Sequence, residues 1–166
     1  CVANVHMTME AWDDPSFREV VNGADLVTPD GVPLVWTLRR LGVADATRVY
    51  GPTLMLRVCE AAAREGVPIG LHGGKPEVLE ALVARLRDRF PGLEIAYAAS
   101  PSVDAVGEPA EARQRADIAA SGARILFVAL GCPKQERWMA RQAPHLGVLQ
   151  LGVGAAFDFH AGSVRQ

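Results

Sequence analysis

Short apolar runs alternate with amphipathic segments from one end of this chain to the other. The apolar runs predict strands over Val2 to His6, Asp25 to Thr28, Pro68 to His72, Glu94 to Ala98, Ile125 to Ala129 and Val148 to Gly152. The middle runs are apolar at nearly every position rather than at alternate ones, as expected of strands covered on both faces. Between them, apolar residues recur at three- to four-residue spacing, which predicts helices over Phe17 to Asn22, Val32 to Leu41, Thr53 to Glu65, Pro76 to Phe90, Pro109 to Ser121 and Pro133 to Ala143. Gly66 and Gly122 follow two of these segments as left-handed stops, and Pro133 suits the first turn of the last. Asp13-Asp14 before Pro15 reads as a helix N-cap. Strand alternating with helix points to an α/β domain: a Rossmann-like, mostly parallel sheet with helices on both faces.

Composition narrows the picture modestly. The 166 residues suit one domain over 1–166, and 49% hydrophobic with 22% charged residues is an ordinary globular balance. A formal net charge of −2 offers no nucleic-acid signal. Cys1, Cys59 and Cys132 are too scattered for a disulfide framework or a zinc site and read as free thiols of a reducing compartment. No apolar run approaches the ~20 residues of a spanning helix, and no signal peptide is visible. The chain opens at Cys1 without an initiator Met and stops at Gln166 without a clear cap, so a fragment of a longer protein is expected.

Ligands of open α/β sheets bind beyond the carboxyl ends of the strands, so the chemistry is sought in the segments leaving those ends. His72-Gly73-Gly74-Lys75 lies between a strand and a helix and reads either as a cradle for a diphosphate or as a bare turn. Gly131-Cys132-Pro133-Lys134-Gln135-Glu136 repeats that arrangement; Gln135 can both donate and accept, as sugar hydroxyls require. Asp30, in Pro29-Asp30-Gly31, is a turn aspartate or a general base. Asn4 is a candidate for a sugar hydroxyl, and His6 a weaker candidate beside it. Arg48 offers a fork for phosphate oxygens. Gly154 and Asp158 belong to the glycine-rich end of the last strand, where a carboxylate between Phe157 and Phe159 needs a partner such as a ribose or a base N–H. The sequence contains neither GxxxxGK[ST] nor GxGxxG, no DxD pair and no HExxH, so no P-loop, dinucleotide cofactor or metal is expected.

Taken in order, these blocks resemble the WecG/TagA/CpsF glycosyltransferases, glycosyltransferase family 26. The likeness runs through Ala24-Asp25-Leu26-Val27-Thr28-Pro29-Asp30-Gly31, Arg48-Val49-Tyr50-Gly51, Leu71-His72-Gly73-Gly74-Lys75-Pro76, Gly131-Cys132-Pro133-Lys134-Gln135-Glu136 and Gly152-Val153-Gly154-Ala155-Ala156-Phe157-Asp158-Phe159, and covers essentially the whole chain. It implies an inverting, metal-independent transfer of a hexose or N-acetylhexosamine, such as N-acetylmannosamine, from a UDP-sugar to a polyprenyl-diphosphate-linked sugar in cell-surface polysaccharide or teichoic acid synthesis. It implies Asp30 as catalytic base, Asn4 at the sugar, Arg48 near the donor, Gln135 as the glutamine of the PKQE block and Asp158 at the nucleotide. It also implies a cytoplasmic protein peripheral at the inner face of the membrane, self-associating, with a basic C-terminal extension that would begin near Arg165, complete the site and touch the membrane. The chain departs from the family pattern at Val2, where a threonine is common, at Thr53, where many members carry aspartate, and at Ser100-Pro101-Ser102-Val103, which lacks aromatic and basic residues of some relatives. Val2 and Thr53 motivate the alternative of a catalytically impaired nucleotide-binding partner in a polysaccharide assembly complex. An NAD-dependent oxidoreductase on a similar sheet is disfavoured by the missing GxGxxG.

Overall fold

The computed structural model describes residues 1–101 and 107–163; Ser102, Val103 and Arg165, singled out above, lie outside them. In chain order the elements are β1 (Val2–Ala3), α1 (Val5–Asp13), α2 (Pro15–Asn22), β2 (Thr28–Pro29), α3 (Val32–Arg40), α4 (Gly51–Glu65), β3 (Ile69–Gly73), α5 (Pro76–Arg89), β4 (Ile95–Ala99), α6 (Glu108–Ser121), β5 (Ile125–Ala129), α7 (Lys134–Gln142), β6 (Leu149–Gly152) and α8 (Ala156–Ala161). All strand pairing is parallel. Four strands form a sheet in the order β4-β3-β5-β6, and β1 pairs with β2 as a separate ribbon, Val2 opposite Thr28 and Ala3 opposite Pro29.

The central sheet is covered on both faces, and β5 shows how its sequence divides between them. Phe127 joins Leu71 of β3, Met55 and Cys59 of α4, Leu82 and Leu86 of α5 and Phe157 of α8 in one core. Its neighbours Leu126 and Val128 point the other way, against Ile118 of α6 and Trp138 and Met139 of α7. This is the period-two alternation of a strand with apolar residues on both faces. A third cluster, Ala3, Met7 and Phe17, fastens α1 and α2 beneath β1. Polar bonds then fix α7. Glu111 of α6, only 6% exposed, accepts from Arg141 Nη2 at 2.7 Å and Gln142 Nε2 at 2.6 Å. The Arg141 guanidinium beside Glu111 holds its carboxyl below the usual carboxylate range, against the opposing effect of burial. Arg137 Nη2 bonds Asp14 Oδ2 at 2.6 Å, tying α7 to the start of α2.

Four expectations need correction. The predicted strand Val2 to His6 ends at Ala3, because Asn4 caps a helix there: its backbone is extended and its side chain accepts from Met7 N at 2.9 Å. The strand predicted over Asp25 to Thr28 is found at Thr28–Pro29, and Leu26 and Val27 are exposed rather than covered. The segment after β6, read as a glycine-rich turn, contains the helix α8, closed by the left-handed Gly162. Pro133 stands at the N-cap of α7 rather than in its first turn, whereas Asp14 does cap α2, accepting from Ser16 N at 2.8 Å.

Candidate active site

A cavity of ≈ 330 Å³ opens where four strands end. Asn4 follows β1, Asp30 follows β2, Gly131 and Gln135 follow β5, and Gly154 follows β6; all five line it. The same wall holds Tyr50, Gly51 and Pro52 at the start of α4 and Ala155 and Ala156 at the start of α8. The first turns of α4, α7 and α8 thus border one space, with Asn4, the cap of α1, beside them. Unsatisfied N–H groups and the positive ends of helix dipoles favour an anion there. No side chain caps α4, α7 or α8; backbone carbonyls take Gln135 N (Gly131 O, 2.8 Å) and Ala156 N (Val153 O, 3.1 Å), and the other first-turn amides are left without a cap.

Asp30 is the carboxylate of this cavity. Its side chain is 19% exposed, and its Oδ1 accepts from Arg48 Nε at 3.2 Å and Nη2 at 3.1 Å. Arg48 Nε also bonds the Asp30 carbonyl. The loop carrying Arg48 is held to β2 by Val49 N donating to Pro29 O at 2.9 Å, and the guanidinium lies over the Tyr50 ring, 4.4 Å from its centroid. With Oδ1 engaged, Oδ2 turns toward the first residue of α4: a Cβ built on Gly51 would stand 3.9 Å from it. A carboxylate with one oxygen paired and the other facing a cavity is suited to accepting a proton from a hydroxyl.

Gln135 and Glu136 open α7 and are nearly enclosed, 4% and 1% exposed. Gln135 Nε2 donates to Glu136 Oε1 at 2.7 Å. Burial pushes the Glu136 carboxyl above its usual range, partly offset by that hydrogen bond. Cys132, on the cavity wall, is pushed up to about 12 by burial and by Glu136, so it is a thiol rather than a nucleophilic thiolate at neutral pH. Glu136 faces a different cavity of ≈ 390 Å³, walled largely by aliphatic residues of α2, α7 and β6. That larger space lacks the convergence of helix starts and the Asp30–Arg48 pair, so the chemistry is sought in the smaller one.

The chain matches the model of the Glycosyl transferase WecG/TagA/CpsF family over residues 1–166. It belongs to that family. A glycosyltransferase needs a sugar donor and an acceptor, and the cavity at Asp30 offers a carboxylate, polar side chains and helix N-termini for such a pair. Among the described residues, no group of three or more His, Cys, Asp or Glu side chains is gathered as a metal site. Among the described residues no helix is long and apolar enough to cross a membrane.

The other sequence candidates of this glycosyltransferase fall around or away from the cavity. Gly31 caps α3 just behind Asp30. Pro133, Lys134 and Glu136 share the α7 start without lining the cavity, and Lys134 is exposed. Asp158 sits in the first turn of α8, between Phe157 in the core and Phe159 on the cavity wall. His72, Gly73 and Gly74 leave β3 away from the cavity. His72 is 0% exposed, stacked on Trp138 with ring centroids 4.4 Å apart, and its Nδ1 shares a hydrogen bond with the Tyr97 hydroxyl at 3.2 Å. Burial lowers its pKa to about 4. Gly73 lies against β5: a Cβ there would stand 2.3 Å from Ala129 O. Sequence reasoning passed over Tyr50. An aromatic two residues after the arginine of a loop, just before a proline-containing helix start, is the signal that marks it.

Proposed function

We propose that the chain transfers a hexose or N-acetylhexosamine, such as N-acetylmannosamine, from a UDP-sugar to a polyprenyl-diphosphate-linked sugar, with inversion and without a catalytic metal. The product is an intermediate of a cell-surface polysaccharide or teichoic acid. The observation that carries this reading is the cavity in which Asp30, paired with Arg48, faces the first turns of α4, α7 and α8. An acidic group that takes a proton and a ring of amides that stabilise a departing diphosphate are the two things a direct displacement needs.

In this mechanism Asp30 Oδ2 takes the proton from the acceptor hydroxyl as that oxygen attacks the anomeric carbon, and the bond to UDP breaks on the opposite side. Arg48 orients the carboxylate through Oδ1. The α4 and α7 amides, joined by Arg48 or by an arginine from a C-terminal extension, neutralise the leaving diphosphate. Asn4 and Gln135 orient the sugar. The family likeness assigns Asp158 to the nucleotide; the His72-Gly73-Gly74 turn, which its glycines and following helix suggested as a diphosphate cradle, is packed against Ala129 and has no part in this mechanism. Work at the inner face of the membrane, as a self-associating peripheral protein, follows the same likeness.

Asp30→Asn tests the core of this reading. It keeps the shape and an acceptor for Arg48 but removes the base, so turnover should fall ~100-fold or more while the unfolding midpoint and UDP affinity stay near native. The assay is UDP release with a panel of UDP-sugars and a polyprenyl-diphosphate-linked sugar. Near-native turnover in this variant removes Asp30 from the chemistry. A catalytically impaired, nucleotide-binding role is the second reading, favoured by apolar Val2 on the cavity wall, at a position where the family pattern often has threonine. UDP binding by calorimetry, without UDP release from any donor, would select it.

A further inference from the structure

Gln135 and Glu136 are consecutive, both more than nine-tenths buried, and each leaves one oxygen unused: Gln135 Oε1 and Glu136 Oε2 are enclosed and have no hydrogen-bond partner. A buried amide oxygen without a donor is costly unless a ligand supplies one. The two ends of the Gln135 amide have different surroundings. Its Nε2 is held by Glu136 Oε1 at 2.7 Å. A Cβ on Gly152 would stand 3.1 Å from Nε2 and 3.4 Å from Cδ, so the amide lies close over the β6 backbone with little room to move. Beside Gly154, where the cavity begins, both ends of the amide lie close to where a Cβ would stand, Oε1 at 3.8 Å and Nε2 at 3.9 Å, so it is the hold on Nε2 that leaves Oε1 as the unengaged end.

An amide side chain presents either a donor or an acceptor, and its neighbours decide which. We propose that Glu136 is a positioning residue: its Oε1 takes the NH₂ end of Gln135, which turns the carbonyl end toward the cavity as a dedicated acceptor. The ligand group opposite Gln135 is therefore a hydrogen-bond donor, a sugar hydroxyl or the N–H of an N-acetyl group. Glu136 acts from behind the wall without touching the substrate. This inference rests on the reading of the cavity as the sugar-donor site.

The test is calorimetric binding of UDP, UDP-glucose, UDP-N-acetylglucosamine and UDP-N-acetylmannosamine to the native protein, followed by the tightest UDP-sugar with three variants. Gln135→Ala removes the acceptor and Glu136→Met the hold on it; each should weaken the UDP-sugar about tenfold, the usual scale of one hydrogen bond, while UDP alone changes less than about twofold. Glu136→Gln still offers an oxygen to Gln135 Nε2 and should stay within about twofold of native. A purely structural Glu136 would lower the affinity for UDP and UDP-sugar together, and that result overturns the proposal. So does native UDP-sugar affinity in Glu136→Met alongside a weakened Gln135→Ala, which leaves the site reading intact. Native affinity in Gln135→Ala, or no binding of any UDP-sugar, removes both. Should Glu136→Met fail to fold, the side-chain NH₂ signal of Gln135 in the native protein decides. It should exchange slowly with solvent, and exchange at the rate of a free glutamine ends the idea.

Discussion

The turns that leave β3 and β5 are written alike and used differently. Both follow a buried apolar strand, both contain glycine at positive φ, and both lead into a helix. After β3, Gly73 (φ 112°) is pressed against Ala129, Gly74 N donates to Ala129 O at 2.9 Å, and His72 is enclosed between sheet and α7. After β5, Gly131 (φ 78°) has no atom within 4 Å of where a Cβ would stand, and it lines the cavity. Both strands are interior to the sheet, so the difference comes from what stands beyond their ends. β3 lies between β4 and β5, and its exit touches the end of β5. Beyond β5 and β6 the neighbours are the short β1–β2 ribbon and the start of α4, which leave a gap. Glycine at one turn lets protein pack on protein; at the other it leaves room for something else.

The largest effect expected from this contrast is that of Gly73→Ala. Its methyl would collide with the Ala129 carbonyl at 2.3 Å and 2.7 Å, in a conformation disfavoured for any L side chain. Backbone strain and overpacking together should cost about 3–5 kcal/mol, measured by denaturant unfolding. A variant within 1 kcal/mol of native, on the order of a surface substitution, would break the claim that this turn is a packing contact.

His72 sharpens the same comparison through pH. Burial holds its folded pKa at about 4, below the ordinary 6.5 of a histidine. The unfolded chain therefore takes up the proton first as pH falls, so the contribution of neutral His72 is complete above 6.5 and drains away toward 4. The loss is about 3 kcal/mol at most, from 1.36 kcal/mol per unit. His72→Phe lacks this titration. The native protein should lose stability relative to the variant across that window. The opposite slope expected from Glu136, whose carboxyl is raised by burial, is common to both proteins and cancels in the difference. Parallel curves would mean that His72 reaches water, as a ligand-facing residue would.

Much of this was readable in the sequence, for reasons that individual residues make plain. The strand Ile125–Ala129 is legible because an unbroken apolar run bounded by Arg124 and Gly131 is too short for a typical helix and suits a covered strand. The rule that ligands gather at strand ends brought out Asn4, Asp30, Gly131, Gln135 and Gly154 without coordinates. It brings out His72 and Gly73 equally, which lie outside that cavity, because the rule says nothing of which strand ends are stoppered by neighbouring backbone. Val5 to Met9 hid a helix behind an apolar run that suits a strand equally well; only the capping Asn4 distinguishes the two. The six-residue α8 is too short for periodicity to show. Leu26 and Val27 read as a strand, but β2 pairs with β1 only from Thr28 onward.

Gly131→Ala is the smallest effect and the most discriminating. The new methyl meets nothing, so the cost is that of a left-handed backbone alone, roughly 1–2 kcal/mol. For a chain of this size that is a fall of several degrees in Tm, well short of Gly73→Ala. Its second consequence lies in the cavity. In the proposed function that space receives the donor, so KM for the UDP-sugar should rise more than kcat falls. Gly73→Ala, in whatever fraction still folds, should leave KM unchanged. If instead the alanine at 131 is the more destabilising of the two and leaves KM untouched, the roles of the turns are reversed, and the donor belongs at the end of β3.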